Sequence, residues 1–296
     1  MGSKKLLVCD LDNTLYDWVS YFVPSFYAMV DTAVKITGCD REKLLDDFLD
    51  VHRRHGDSEQ PFALLETETI KNIYRNCTDN DIIRELDPAF HAFNSSRRNN
   101  LKLHAHVRET LETLNETGVK LVAHTESKLY GVVDRLNRLD LFQFFQKVYC
   151  RERSDTPHPV PELASNWLER VPKDRVVELS DHQAKPDPSV LLEICAREGV
   201  ASEDASYVGD SVARDILMAK RANVFSIWAA YGAQHDPKLY KSLVRISHRT
   251  SEEIALDEQL TEEAKNIRPD YVAQISFAEV LSALNISPSV QHVSSR

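Results

Sequence analysis

A short apolar run near the start of the chain ends directly in two carboxylates. Residues 5–9 read KLLVC, and Asp10, Asp12 and Thr14 follow. A run of this length that is bounded by polar residues predicts a fully buried strand. Charge beside a buried strand costs free energy unless it is solvated, paired or bound to a metal ion. The rest of the chain must therefore supply groups that compensate the two carboxylates.

Strand and helix signals alternate over most of the chain. We predict further strands at 119–124, 147–150, 206–208, 224–228 and 270–275. We predict helices at 106–117, 127–139, 187–199, 212–222 and 276–284. This alternation indicates parallel βαβ units, and therefore an α/β fold with a doubly wound, Rossmann-like parallel sheet.

A helical block interrupts the first connection between strand and helix. Apolar residues at helical spacing run from Trp18 to a stop at Gly38, and further helices are predicted at 40–54, 61–74 and 79–93, followed by a polar linker at 95–100. The block is too long for a crossover, so we predict an inserted module. The domain prediction is an α/β core of residues 1–15 and 99–296, with a helical cap at 16–98.

Three other segments give weaker signals. Residues 151–183 contain a proline-rich stretch, predicted as a loop, and a helix is predicted near 162–171. The charged segment 234–268 is predicted to be helical in parts, and the C-terminal tail to be frayed.

The HRRH sequence at 52–55 is interpreted as a solvated helix end, where cations are favourable.

The net charge and composition exclude several classes of binding partner. The net charge of −10 argues against broad nucleic-acid binding, which needs a basic face. No apolar run approaches the ~18 residues of a membrane span, and the N-terminus lacks the layout of a signal peptide. The five cysteines are scattered and form no CxxC pair, which indicates a reducing compartment. We predict a cytoplasmic protein without nucleic-acid or membrane partners; the sequence does not predict its oligomeric state.

Polar side chains follow several predicted strands. In an open parallel sheet, ligands bind beyond the carboxyl ends of the strands. The candidates at those ends, besides the first group, are Thr125 after 119–124, Lys185 before the helix at 187, and Asp210 and Asp215 in the GDSVARD sequence. These ends meet at one edge of the sheet, so the residues are expected to form one site.

Four converging aspartates would repel one another without a cation. Mg²⁺ prefers oxygen ligands and keeps several waters, so two or three protein oxygens suffice. We predict Asp10 and Asp210 as direct ligands, with the backbone carbonyl of Asp12 as a third. Asp215 is predicted to bind the ion directly or through water.

The same edge offers the groups needed for phosphoryl chemistry. Lys185 adds positive charge, and the hydroxyls of Thr14 and Thr125 complete a predicted phosphoryl-binding site. An aspartate at a strand tip can act as a nucleophile and form an aspartyl-phosphate. A second carboxylate two residues further on can protonate the leaving oxygen and then activate water. One carboxylate would attack while the other moves protons.

The order and spacing of these motifs resembles the haloacid dehalogenase-like hydrolase superfamily from Asp10 to about Leu284. The matching motifs are DLDNT at 10–14, the hydroxyl of Thr125, Lys185 before a helix, and GDSVARD at 209–215. The resemblance implies Asp10 as nucleophile and Asp12 as general acid and base. It also implies that Thr125 and Lys185 hold the phosphoryl oxygens, and that Asp10, the Asp12 carbonyl and Asp210 hold Mg²⁺. The insert at 16–98 looks like the helical cap of one subgroup.

The presence of Asp12 distinguishes between the reactions that members of this family catalyse. Dehalogenating members are similar in fold but lack the second aspartate, so its presence favours phosphoryl transfer. Glu126, beside the proposed phosphate site, departs from the family pattern. Simpler roles remain open for some residues: a helix N-cap for Thr125, an ordinary loop lysine for Lys185, and a cap or local ion pair for Asp215.

The sequence therefore predicts a Mg²⁺-dependent phosphatase acting on a small soluble phosphate monoester. The candidate substrates are a nucleoside monophosphate, phosphoglycolate or a sugar phosphate. One alternative is a phosphomutase with the same aspartates. Another is a non-catalytic phosphate-binding or interaction module that keeps the fold.

Overall fold

A computed structural model describes residues 4–60, 62–152, 171–180 and 182–287. The helix predicted near 162–171, apart from its last residue, and most of the predicted tail lie outside these ranges. Within the described residues, no helix combines the length and apolar character that a membrane crossing requires.

In the described ranges, seven strands form a single sheet, and each pair of neighbours runs parallel. The strands are β1 (Leu6–Cys9), β2 (Lys120–Lys128), β3 (Lys147–Arg151), β4 (Val176–Leu179), β5 (Ala205–Gly209), β6 (Phe225–Ala229) and β7 (Tyr271–Ala273). Their order is β4-β3-β2-β1-β5-β6-β7. The chain therefore winds outward from β1 first on one side and then on the other. This confirms the predicted doubly wound α/β fold.

The helices flank the sheet or form a separate group. They are α1 (Trp18–Thr37), α2 (Arg41–His55), α3 (Ala63–Glu66), α4 (Glu68–Ile73), α5 (Asp79–Asn100), α6 (Val107–Glu116), α7 (Leu129–Arg138), α8 (Pro188–Arg197), α9 (Leu217–Arg221), α10 (Pro237–Ile246), α11 (Ser251–Ala264) and α12 (Glu279–Ala283). Between β5 and α9 the chain makes a π-helical turn at Val212–Ile216, which replaces the first part of the helix predicted at 212–222.

Several predicted boundaries were wrong for local physical reasons. The strand predicted at 119–124 continues to Lys128, and its register shifts after His124. Strand β4 was missed because its sequence, VVEL, follows a proline-rich stretch and lies at the edge of the sheet. The helix predicted at 61–74 is divided into α3 and α4, because Thr67 adopts an extended backbone between them.

The helices between β1 and α6 have a hydrophobic core of their own. Side chains from α1 to α5 form one buried cluster, distinct from the two clusters on the faces of the sheet. The polar linker predicted at 95–100 is instead the end of α5. Arg97 is buried there over the rings of Tyr21 and Phe93, and it donates a hydrogen bond to Asp134 of α7. We call α1–α5 and the segments between them the helical unit.

Helix α10, from the charged segment 234–268, also packs against the helical unit. Ile246 belongs to its buried cluster, and the carbonyl of Ile246 accepts a hydrogen bond from Nδ1 of His52 at 2.7 Å. His52 is therefore only 1% exposed, and the prediction that it lies on a solvated helix end was wrong. Its ring packs against Phe26 and Phe48.

Candidate active site

The tips of β1 and β5 bring two predicted site residues side by side. Cys9 pairs with Val208 in the sheet, so Asp10 and Asp210 follow neighbouring strands at the same edge. The chain proceeds from β1 to β2 on one side, while β5 lies on the other side. Crevices beyond the strand ends at such a reversal of direction are the usual ligand sites of doubly wound sheets. The fold thus places both carboxylates where a ligand can reach them.

Lys185 lies at the centre of this edge. Its Nζ is 2.5 Å from Oδ1 of Asp10 and 2.8 Å from Oδ1 of Asp215. The side chain is buried, and its ammonium group lies over the ring of Tyr207. Burial alone would lower the pKa of Lys185, but the carboxylates of Asp10 and Asp215 outweigh it and raise that pKa well above its usual value. Lys185 is therefore a fixed positive charge, which excludes the ordinary surface-lysine interpretation.

Three carboxylates converge beside this lysine. Asp10, Asp210 and Asp215 each offer an oxygen, and these oxygens lie within 4.8 Å of one another. Burial, offset in part by Lys185, raises the pKa of Asp10 to about 7. Burial and the charges of Asp10 and Asp215 raise the pKa of Asp210 well above its usual value. One lysine does not balance three carboxylates, of which Asp10 and Asp215 are buried, so the donor set fits a hard divalent cation.

Asp215 reaches this cluster because of the π-helical turn. The turn directs its side chain back toward β5, where Oδ2 accepts a hydrogen bond from the backbone N–H of Ser211 at 3.0 Å. The hydroxyl of Tyr207 donates to Oδ1 at 3.2 Å. A Cβ atom at Gly209 would lie 2.4 Å from Cγ of Asp215. The glycine of the GDSVARD sequence is therefore required by the space that Asp215 occupies.

The two predicted hydroxyl residues have different surroundings. Thr14 is buried, and its hydroxyl donates to Oδ2 of Asp10 at 2.9 Å. Thr125 lies within β2, and its hydroxyl accepts a hydrogen bond from the backbone N–H of Ser127 at 3.1 Å. Because α7 begins only at Leu129, Thr125 does not serve as its N-cap. Thr14 thus orients the Asp10 carboxylate, while Thr125 remains next to the site without a direct bond to it among the described contacts.

The Asp12 carboxylate is turned away from the three clustered carboxylates. Its Oδ2 accepts a hydrogen bond from the hydroxyl of Ser127 at 2.5 Å. Its Oδ1 lies 3.5 Å from the guanidinium of Arg135. The side chain of Asp12 is therefore separate from the candidate metal ligands, in keeping with a metal prediction that involved only its backbone carbonyl.

Glu126 of β2, unexpected from its sequence position, joins two other segments around the site. Its Oε1 accepts a hydrogen bond from the backbone N–H of Lys185 at 3.1 Å, and its Oε2 accepts one from Arg214 at 2.7 Å. Arg214 belongs to the π-helical turn that carries Asp215. The charge of Glu126 is therefore balanced by Arg214. Glu126 also fixes the positions of the two segments that carry Lys185 and Asp215. The sequence showed its charge but not this partner.

A second glycine supports the loop after β1. A Cβ atom at Gly232 would lie 1.8 Å from the carbonyl oxygen of Asn13, in the segment that carries Asp12. Asn13 itself has a left-handed backbone, with φ at 60°. The hydroxyl of Tyr231 donates to the carbonyl of Thr14 at 2.7 Å. The YG sequence after β6 thus packs directly on the loop, and no sequence signal identified it.

Comparison with known families agrees with this arrangement. The profile of the haloacid dehalogenase-like hydrolases matches residues 4–223, and a second, HAD-hydrolase-like profile matches residues 182–275. The chain belongs to the haloacid dehalogenase-like hydrolase family, which confirms the resemblance carried by the four motifs. It is accordingly an enzyme of the hydrolase class.

Two curated relatives are phosphatases. The chain is 24% identical over 237 residues to glyceraldehyde 3-phosphate phosphatase of Methanopyrus kandleri, with 78% of this chain and 86% of the relative covered. It is also 24% identical over 231 residues to phosphoglycolate phosphatase of Pseudomonas savastanoi, with 78% and 71% covered.

Solved structures share the fold. A 2-haloacid dehalogenase from Pseudomonas syringae superposes with a TM-score of 0.55 at 19% identity, covering 95% of this chain and 98% of that one. A HAD phosphatase from Thermococcus onnurineus gives a TM-score of 0.53 at 18% identity, with 96% and 99% covered. At this identity the two structures support the architecture alone.

Proposed function

We propose that the chain is a Mg²⁺-dependent phosphatase that hydrolyses a small phosphate monoester through an aspartyl-phosphate on Asp10. The observation that carries the proposal is the position of Lys185, in contact with Asp10 and Asp215 and next to Asp210. A buried lysine beside three carboxylates at strand tips forms a site for a dianionic group and a divalent cation. The phosphatase names of the curated relatives support the same reaction.

The residues of the chain divide the reaction between them. A carboxylate oxygen of Asp10, oriented by the hydroxyl of Thr14, attacks phosphorus while the bond from phosphorus to the ester oxygen breaks. Asp12 gives its proton to the departing oxygen. Asp12 then takes a proton from water, whose oxygen attacks phosphorus and releases inorganic phosphate and Asp10. Lys185 and Thr125 are proposed to hold the phosphoryl oxygens during both steps.

The carboxylates of Asp10, Asp210 and Asp215 would hold the cation, with the backbone carbonyl of Asp12 as a further proposed ligand. When bound, Mg²⁺ supplies positive charge that keeps buried carboxylates ionised and offsets the charge of the phosphoryl oxygens. The raised pKa of Asp10, about 7, supports this part of the proposal, because a protonated Asp10 would be a poor nucleophile.

The proposed substrate is small and soluble. The names of the relatives point to two- and three-carbon phosphates, and the sequence adds nucleoside monophosphates and sugar phosphates. We further propose that residues 16–98 act as a cap over the site, which excludes water and selects the substrate. The five cysteines are free thiols, which supports a cytoplasmic enzyme.

The test is phosphate release from a panel of such esters by the purified chain with Mg²⁺. We expect turnover that is lost in excess chelator and restored by Mg²⁺, and that is abolished by Asp10→Asn with the thermal unfolding transition retained. Asp236→Asn is a matched control, because Asp236 caps α10 outside the site and asparagine caps helices equally well. Full activity of Asp10→Asn would contradict the nucleophile assignment.

The same experiment separates the alternatives. A phosphomutase would isomerise a phosphorylated substrate without releasing free phosphate, which mass spectrometry of the products would detect. A non-catalytic phosphate-binding module would bind an ester in calorimetry and turn over none of the panel.

A further inference from the structure

Arg135 of α7 is completely buried, at 0% exposure, although the proposed mechanism does not use it. Its guanidinium donates four hydrogen bonds. Nε donates to the hydroxyl of Tyr16 at 3.0 Å, and one terminal nitrogen donates to both carboxylate oxygens of Glu59, at 2.9 and 2.7 Å. The other terminal nitrogen donates to the hydroxyl of Ser127 at 2.8 Å and lies 3.5 Å from Oδ1 of Asp12. Burying an arginine is expensive unless its donors are satisfied, and here they are.

The hydrogen bonds fix the direction of the Ser127 hydroxyl. An arginine cannot accept a hydrogen bond, so the oxygen of Ser127 is the acceptor for Arg135. The single proton of that hydroxyl is then directed at Oδ2 of Asp12, 2.5 Å away. Oδ2 therefore serves as an acceptor, and the hydroxyl of Tyr16, which accepts from Nε of Arg135, is also hydrogen-bonded to the Asp12 carboxyl. The orientation of the Asp12 carboxyl is thereby fixed by Arg135 through the hydroxyl of Ser127.

The helical unit holds Arg135 in this position. Glu59 lies between α2 and α3 and receives a further hydrogen bond from Nε1 of Trp18, at 3.2 Å. The contact between Glu59 and Arg135 joins residues 76 positions apart, one from each side of the interface. Gly131, one turn before Arg135 on α7, leaves the space for the guanidinium, since a Cβ atom there would lie 3.1 Å from it.

We propose that Arg135, held by Glu59, is a positioning residue that fixes the carboxyl group of Asp12 for proton transfer to the leaving oxygen. Contact of the helical unit with α7 thus completes the general acid. The proposal rests on the proposed phosphatase function and adds to it a link between cap docking and chemistry.

The test compares esters that need a general acid with esters that do not. Alkyl phosphates have basic leaving groups and require protonation, whereas p-nitrophenyl phosphate leaves without it. In Glu59→Gln one bidentate acceptor is replaced by an amide, so Arg135 loses its anchor. We expect kcat/KM for an alkyl phosphate to fall by about tenfold or more, because misplaced proton transfer costs on that order, while kcat/KM for the aryl ester changes by less than about threefold.

Two further variants guard against a purely structural effect. Gly131→Ala displaces the guanidinium by a few tenths of an ångström without removing any charge, and we expect it to lower the alkyl-to-aryl ratio in the same direction. Asp134→Asn is the matched control, because it removes the carboxylate that faces buried Arg97 across the same interface, at 2.6 Å, without touching Asp12. It is expected to leave the ratio unchanged.

The outcomes are distinguishable. An unchanged ratio in folded Glu59→Gln and Gly131→Ala, or an equal change in Asp134→Asn, would overturn the role of Arg135 while leaving the phosphatase proposal intact. A wild-type chain that hydrolyses neither ester with Mg²⁺ would overturn the proposed function and this inference together.

Discussion

Replacing Gly209 by alanine tests whether the position of Asp215 sets the activity of the site. The new Cβ would lie 2.4 Å from both Cγ and Oδ2 of Asp215. Because non-bonded carbon atoms pack at about 3.5–4.0 Å, the carboxylate must move by roughly 1 Å. Asp215 is held 2.8 Å from Lys185 and 3.0 Å from the backbone of Ser211, so this movement breaks at least one of the two contacts.

The magnitude follows from the burial of the site. Overpacking a buried position costs about 1–3 kcal/mol of unfolding free energy. A shift of about 1 Å in a catalytic array costs on the order of 100-fold in rate. We therefore expect Gly209→Ala to lose about 2 kcal/mol of stability and about 100-fold in kcat. The Mg²⁺ concentration that gives half-maximal activity should also rise, since Asp215 is a proposed ligand.

The measurements are urea unfolding and phosphate release as a function of Mg²⁺ concentration. Gly199→Ala is the control, because Gly199 has a left-handed φ of 67° and open space where the Cβ would lie. Its substitution strains the backbone by about 1 kcal/mol, far from any site residue. If Gly209→Ala kept wild-type turnover and Mg²⁺ dependence, with no greater loss of stability than the control, the position of Asp215 would not set the activity of the site.

Two other perturbations probe the support of the site and of the helical unit. Gly232→Ala places a Cβ 1.8 Å from the backbone oxygen of Asn13, which cannot move without the loop, so we expect a stability loss of about 3 kcal/mol and almost no turnover; calorimetry and the phosphate assay would contradict this if either stayed near wild type. Burial lowers the pKa of His52 to about 4, so the stability is independent of this group above the unfolded pKa of about 6.5 and falls by about 3 kcal/mol as the pH drops from about 6.5 to about 4. His52→Gln should flatten that part of the unfolding profile, and an unchanged slope would disprove the assignment.

The parts of this protein that depend on local sequence could be predicted, and the parts that depend on contacts across the chain could not. The strand tips that carry Asp10 and Asp210 follow from short buried runs that end in charge. Lys185 was placed at the right edge because it precedes a helix in an alternating α/β pattern. The SSRRNN sequence, in contrast, reads as a linker, and only its tertiary setting shows that Arg97 is buried against aromatic rings.

Two other polar residues were interpreted wrongly from the sequence for the same reason. Sequence patterns predict that a polar side chain is exposed when its hydrogen-bond partner is distant in the chain. His52 is an example, because its acceptor is 194 positions away. Glu126 appeared to conflict with a bound phosphate, because its sequence gave no sign of Arg214, 88 positions further on. Each error concerns a buried polar group whose compensating partner is supplied by another element.

The interface between the helical unit and the α/β core uses these buried polar groups in a consistent way. Helix α7 contributes two charged residues to this interface. Asp134 forms an ion pair with Arg97, and Arg135 forms an ion pair with Glu59. Apolar residues of similar volume would stabilise such an interface at least as well, because desolvation offsets most of the gain from buried ion pairs. Ion pairs instead impose direction. Only the pair that includes Arg135 continues through Ser127 to Asp12, so the specificity gained there is orientation of the proposed acid. The selective effect of Glu59→Gln, compared with Asp134→Asn, follows from that difference.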